Sequence, residues 1–207
     1  MSTIHPSLTT FRRGAAAALA TAALAAGLAV APVATAAPSA APASKPYCGI
    51  TWGSLDKRFP AGDTLPFANG LLTNIRSGRH GCFDRLVFDL AGGVSFRELS
   101  YRVGYVDEVA DAASGEVTPL RGGARLEIII GTWSYDFANG VPTYPQTDEA
   151  VDVTGYSTFR QVASLGSHEG YFQAGLGVRA RLPFRVFVLQ GPGAGARVVI
   201  DVAHRWS

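Results

Sequence analysis

The sequence predicts a mostly β protein: a β-sandwich of about eight short strands with at most one short helix. Three observations predict it. Glycine and proline recur at short intervals from residue 47 to 207, and apolar runs of strand length lie between them. Several of those runs alternate inward and outward residues with the period of two that a half-buried strand requires. No segment carries a long amphipathic helical pattern.

The front of the chain has a different composition. Met1 to Arg13 is polar and ends in the pair Arg12-Arg13; Gly14 to Val30 is uncharged and rich in Ala and Leu. Pro32 breaks the run, and Ala34-Thr35-Ala36 has the small-x-small form of a cleavage site. This order predicts a secretory signal peptide over residues 1–36, with no stable membrane span after cleavage. Arg12-Arg13 leaves twin-arginine export open beside the general route. Residues 37–46, APSAAPASKP, cannot build a core and read as a flexible linker. One folded domain is expected over 47–207.

Removing the leader and linker changes the charge. All 16 acidic residues lie after residue 46, with 15 of the 18 basic ones, so the domain carries a net −1 rather than +2. Such a domain lacks the basic excess of a general nucleic-acid binder. The two cysteines, Cys48 and Cys82, are 34 positions apart. In an oxidising compartment such a pair is expected to bridge, and closing that loop contributes roughly 3–4 kcal/mol. The bridge is expected to pin the arm bearing Trp52 onto the first strands.

Strands are predicted near Leu71–Arg79, Arg85–Leu90, Ser100–Val106, Arg125–Gly131, Gln161–Leu165, Tyr171–Val178, Phe184–Leu189 and Arg197–Ala203. Val151–Ala163 is the one place for a short helix, although Gly155 and its β-branched residues weaken it. Leu86, Phe88 and Leu90 share one face of their strand, opposite Val87 and Asp89. Arg85-Leu-Val-Phe-Asp-Leu90 is echoed by Arg197-Val-Val-Ile-Asp-Val202, as two similar central strands would be. Strands disfavour Asp, so each Asp is expected to meet a neighbouring Arg or backbone donors. Residues 131–152 carry Trp133, Tyr135, Phe137 and Tyr144. They fit either an exposed binding loop or a crossover packed on the sheet.

Several of these segments resemble one known family. Gly78-Arg-His-Gly-Cys-Phe-Asp-Arg-Leu-Val-Phe-Asp-Leu90 is similar to the opening strands of the actinobacterial AMIN-like domain family. Tyr101-Arg-Val-Gly-Tyr-Val-Asp107, His168-Glu-Gly-Tyr-Phe172, Pro183-Phe-Arg-Val186 and Asp201-Val-Ala-His204 follow in the family's order. The resemblance spans Leu71 to Ser207 and implies an AMIN-like β-sandwich. By analogy with AMIN domains it implies attachment to peptidoglycan or residence in the cell envelope, with no established activity to carry over. Many relatives look like lipoproteins, and this chain has no Cys near its expected cleavage site.

The expected function is that of a secreted, non-catalytic envelope module, free or wall-associated, with peptidoglycan, another wall polymer or an envelope protein as partner. No cofactor or metal is expected. Arg76, Arg79, His80 and Asp84, with Trp133 and Tyr135 as stacking surfaces, are the candidate ligand-binding residues; arginine offers paired donors to a wall carboxylate. Two alternatives stay open. A secreted inhibitor or interaction domain would expose an apolar patch or a free sheet edge. A small metal-dependent hydrolase would bring His80, Asp84 and His204 together.

Overall fold

Among the described residues thirteen strands form where the alternating and apolar runs lie, separated by glycine- and proline-bearing turns. The computed structural model describes residues 47–62, 65–66, 70–92, 94 and 99–206. The expected signal peptide and linker lie outside the described residues. In chain order the first strands are β1 (Lys57–Phe59), β2 (Leu71–Arg79), β3 (Phe83–Ala91) and β4 (Tyr101–Val106). Next come β5 (Val109–Ala110), β6 (Val117–Thr118), β7 (Ala124–Ile130), β8 (Tyr135–Asp136) and β9 (Val141–Pro142). The last four are β10 (Phe159–His168), β11 (Tyr171–Val178), β12 (Phe184–Gln190) and β13 (Ala196–Ala203). All eight predicted strands are present, each bounded within three residues of its expected ends.

The short helix considered for Val151–Ala163 does not form. Asp152 accepts the backbone N–H of Thr154 at 2.8 Å, Gly155 adopts φ +77°, and the chain then enters β10. A side chain that caps its own turn offers the backbone an alternative to a helix. Among the described residues the one helical stretch is a 3-10 turn at Tyr47–Gly49.

Two antiparallel sheets pack face to face. One runs β1-β4-β7-β11-β10 and the other β12-β13-β3-β2. Their facing sides supply one core: Leu86, Phe88 and Leu90 of β3, and Val198, Ile200 and Val202 of β13, meet Leu126, Ile128, Phe172 and Leu176. The turn from β10 to β11 places Glu169 and Gly170 at φ +49° and +90°, the pair of positive angles that a two-residue hairpin needs. The outer edge of β10 is occupied: Thr147 and Ser164 exchange backbone hydrogen bonds, and Ala150 N–H reaches Val162 O.

Cys48 and Cys82 are bridged. Cys82 lies in the turn between β2 and β3, so the bridge ties the N-terminal arm to that turn. There Trp52 packs edge-on against Phe83, and Gly53 O accepts the N–H of Phe184. Replacing both cysteines with serine is expected to lower the free energy of unfolding by about 3 kcal/mol, measured by urea denaturation. A loss below about 1 kcal/mol would mean that the arm is held by its packing alone.

Candidate functional site

The repeated Arg-x-x-x-Asp pattern builds the most distinctive surface of the molecule. β3 and β13 are antiparallel neighbours in the register Arg85↔Asp201, Val87↔Val199 and Asp89↔Arg197. A period of two places these six residues on one face, opposite the core residues of the same strands. Each Arg therefore stands across from the other strand's Asp. A local two-fold axis passes between Val87 and Val199, and the outward face of the four-stranded sheet carries two arginine–aspartate groups, one at each end.

At the first end Asp201 is fully enclosed between two arginines. Arg85 Nε and Nη2 donate to its two oxygens at 2.6 and 2.9 Å, and Arg185 Nε donates at 2.8 Å. The hydrogen bonds to Asp201 raise the Arg85 pKa against the opposing effect of burial. Aromatic rings surround the guanidinium groups. Arg185 lies 4.4 Å from the Trp52 ring centre and 5.0 Å from that of Phe187. Arg85 lies over Phe83 and Phe187, and His80 stacks on Phe83 at 4.5 Å. A cation over a ring face is attracted by the ring quadrupole, so the rings help hold the two guanidinium groups around one carboxylate.

The second end is built differently. Asp89 accepts Arg76 Nε and Nη2 at 2.8 and 3.1 Å, together with Asn74 Nδ2 at 3.3 Å. Its bonds to Asp89 raise the Arg76 pKa. Arg197, across from Asp89, instead donates Nη2 to Gln190 O at 3.2 Å. Its Nε is enclosed and has no hydrogen-bond partner among the described residues. Beside it opens a cleft of about 760 Å³, walled by Asn74, Arg76, Arg197 and the glycine-rich β12–β13 hairpin.

The six candidate residues named from sequence are distributed over three places. Arg76 is on the outward face, and His80 lies at its disulfide end against Phe83. Arg79 has the opposite parity in β2; its guanidinium sits over the Tyr156 ring at 5.8 Å. Asp84 points inward and is fully buried, accepting backbone N–H groups of Thr158 (2.5 Å) and Phe159 (3.3 Å). Trp133 and Tyr135 sit at the other end of β2, where Leu72 N–H donates to Trp133 O. The eight-residue rise of β2 from Leu71 to Arg79 separates the two ends by about 26 Å.

Residues 131–152 divide between the two readings offered for them. Tyr144 packs against the core and donates its hydroxyl to Ala150 O. Phe137 is exposed and holds edge contacts with Trp133 (4.8 Å) and Tyr135 (5.1 Å). Of the three residues considered for a metal, His204 Nε2 meets Asp84 Oδ1 at 3.1 Å, while His80 is engaged with Phe83. Among the described residues no group of three His, Cys, Asp or Glu side chains is placed to hold a metal ion.

Sequence reasoning passed over Arg85, Arg185, Arg197, Asp201, Trp52 and Phe187 as site residues. The recurrence itself was the available signal. Two antiparallel neighbours with the same Arg-x-x-x-Asp spacing pair Arg with Asp twice when their central residues are in register.

The model of the AMIN-like domain family matches residues 70–204. No curated protein and no solved structure matches the chain.

Proposed function

The chain belongs to the AMIN-like domain family, and on that premise we propose that it is an exported, non-catalytic module of the bacterial cell envelope that binds peptidoglycan or another wall polymer. One observation carries this reading. The outward face of the β12-β13-β3-β2 sheet presents Arg76, Arg85, Arg185 and Arg197 with Trp52, Phe83 and Phe187 among them. Arginine forks suit the carboxylates of wall peptides and acidic sugars, and aromatic rings suit sugar faces. The signal-like residues 1–36 and the linker 37–46 support export, and the Cys48–Cys82 bridge agrees with an oxidising compartment. Among the described residues no helix is long and apolar enough to cross a membrane.

A second reading rests on the β8–β9 hairpin, where Phe137 and Val141 are 67% and 49% exposed. That apolar tip suits contact with an envelope protein.

Retention of the protein from Tyr47 onward on insoluble peptidoglycan, against cellulose, tests the proposal. Saturable retention on peptidoglycan alone is expected. The pair Arg185→Ala and Arg197→Ala is expected to weaken it roughly tenfold, the effect of losing about 1.4 kcal/mol of binding. Equal retention on both matrices would overturn the reading, as would retention that the pair leaves unchanged.

A further inference from the structure

The two ends of the outward face have the same plan and different outcomes. Each places one carboxylate between two guanidinium groups, so each has one positive charge in surplus among the described residues. At the first end both arginines bind Asp201 and both lie over aromatic rings. At the second end the side of Asp89 that faces β2 is filled by Arg76 and Asn74. Arg197, on the β13 side, keeps one hydrogen bond to a main-chain carbonyl. Its Nε is enclosed without a partner among the described residues, at a cost of roughly 1–3 kcal/mol, so donation from this guanidinium to a ligand falls to its Nη groups.

Arg197 borders the cleft of about 760 Å³, which Gln190 and the hairpin Gly191-Pro-Gly-Ala-Gly195 also line. The hairpin is closed by its own backbone bonds, Gly191 N–H to Gly195 O and Gly195 N–H to Pro192 O. It therefore sets main-chain groups beside the guanidinium, with Gln190 O accepting Arg197 Nη2. A ring or a short peptide has room to approach there. No acidic side chain other than Asp89 lines the cleft among the described residues.

We propose that the cleft beside Arg197 is a carboxylate subsite, taking the acid group of a muramic-type sugar or of a peptide C-terminus onto the Arg197 guanidinium. This rests on the reading of the outward face as a wall-binding surface and names the group that the surface recognises. One surplus positive charge matches a monoanion, and the planar guanidinium offers parallel donors to a planar carboxylate. A phosphate monoester carries close to two negative charges and is a poorer match for this charge. The dyad-related arginines serve a different purpose. Arg85 is consumed by Asp201 and the rings; Arg185, whose side chain is 42% exposed, keeps a solvent side for the wider face; Arg197 is the guanidinium that borders the cleft.

Arginine side-chain NMR of the purified protein tests this, with the Arg197 Nε–Hε resonance identified by its loss in Arg197→Lys. The probes are N-acetylmuramic acid, the dipeptide D-alanyl-D-alanine, N-acetylglucosamine as the neutral sugar, and glycerol phosphate. The expected result is a saturable shift of the Arg197 resonance with one or both carboxylate probes at about 1–10 mM, the range of a single fork on an open surface. Which carboxylate binds more tightly identifies its source as sugar or peptide. The Arg85 resonance should stay in place. Arg197→Lys should weaken binding at least tenfold, followed on the backbone amides of Gly191 and Gly195, with the remaining amide spectrum unchanged.

No shift with either carboxylate up to about 50 mM would overturn the subsite, since binding weaker than that has no recognition value. Equal binding of N-acetylglucosamine, or tighter binding of glycerol phosphate, would also overturn it. Failure here is distinct from failure of the wider reading. If Arg197→Lys is retained on peptidoglycan like the parent while Arg185→Ala is not, the subsite falls and the face stands. If the parent protein is not retained at all, the face reading falls, and the titration still decides whether Arg197 binds a carboxylate.

Discussion

Asp84→Ala is expected to lower the free energy of unfolding by about 3–5 kcal/mol, the combined cost of leaving its buried hydrogen-bond partners unmet. Asp84 is fully buried, on β3 of the four-stranded sheet. Its Oδ2 accepts backbone N–H groups of Thr158 and Phe159, where the chain enters the five-stranded sheet at β10. Its Oδ1 meets His204 Nε2, just after β13. One carboxylate thus fastens both sheets and the end of the last strand. Alanine would leave two backbone donors and an imidazole without their acceptor, each at its own desolvation cost. Asp84→Asn keeps one acceptor oxygen and adds a donor where donors already converge, so it should lose about half as much. Urea denaturation of both variants with an unchanged slope checks this. A loss below about 1 kcal/mol for Asp84→Ala would show that water replaces the carboxylate without penalty.

Phe88→Ala is expected to cost about 3–5 kcal/mol, the usual range for a fully buried phenyl ring. Phe88 has no exposed surface and lies on β3, which is paired on both sides. Its ring centre is 5.9 Å from that of Phe172 on the facing sheet. Neighbours on β2 and β13 are fixed by their own ladders, so the void cannot close fully, and residual cavity volume adds to the lost burial. The midpoint of thermal unfolding should fall by about 6–20 °C for a domain of this size. A fall of less than about 3 °C would mean that the sheets approach each other to fill the space.

The strands were legible in the sequence because their physics is local. Alternation in Arg85–Leu90 and continuous apolar character in Tyr171–Val178 each specify a strand without reference to a partner. The two-residue strands β5, β6, β8 and β9 were not legible, since two residues carry no periodicity. Lys57-Arg-Phe59 has none either, and it is a strand because β4 supplies its ladder.

The site was legible in a different measure. The Arg-x-x-x-Asp recurrence was visible, and so was the unusual Asp in each strand. Its consequence needs the register between β3 and β13, which are separated by more than a hundred residues and settled by packing. Trp52 reaches the face through the N-terminal arm that the Cys48–Cys82 bridge ties down, and Arg185 and Phe187 arrive from a third strand. Arg76 and Arg79 are three apart on one strand, and an odd separation sends their side chains to opposite faces.

Whether the outward face of the four-stranded sheet is the surface that meets the wall is decided by backbone amide NMR of the isotope-labelled protein, titrated with soluble fragments of digested peptidoglycan. The expected result is saturable perturbations on β12, β13, β3 and β2 that centre on Arg76, Arg185 and Arg197. Perturbations confined to the Trp133–Val141 hairpin, or none at all, would contradict it.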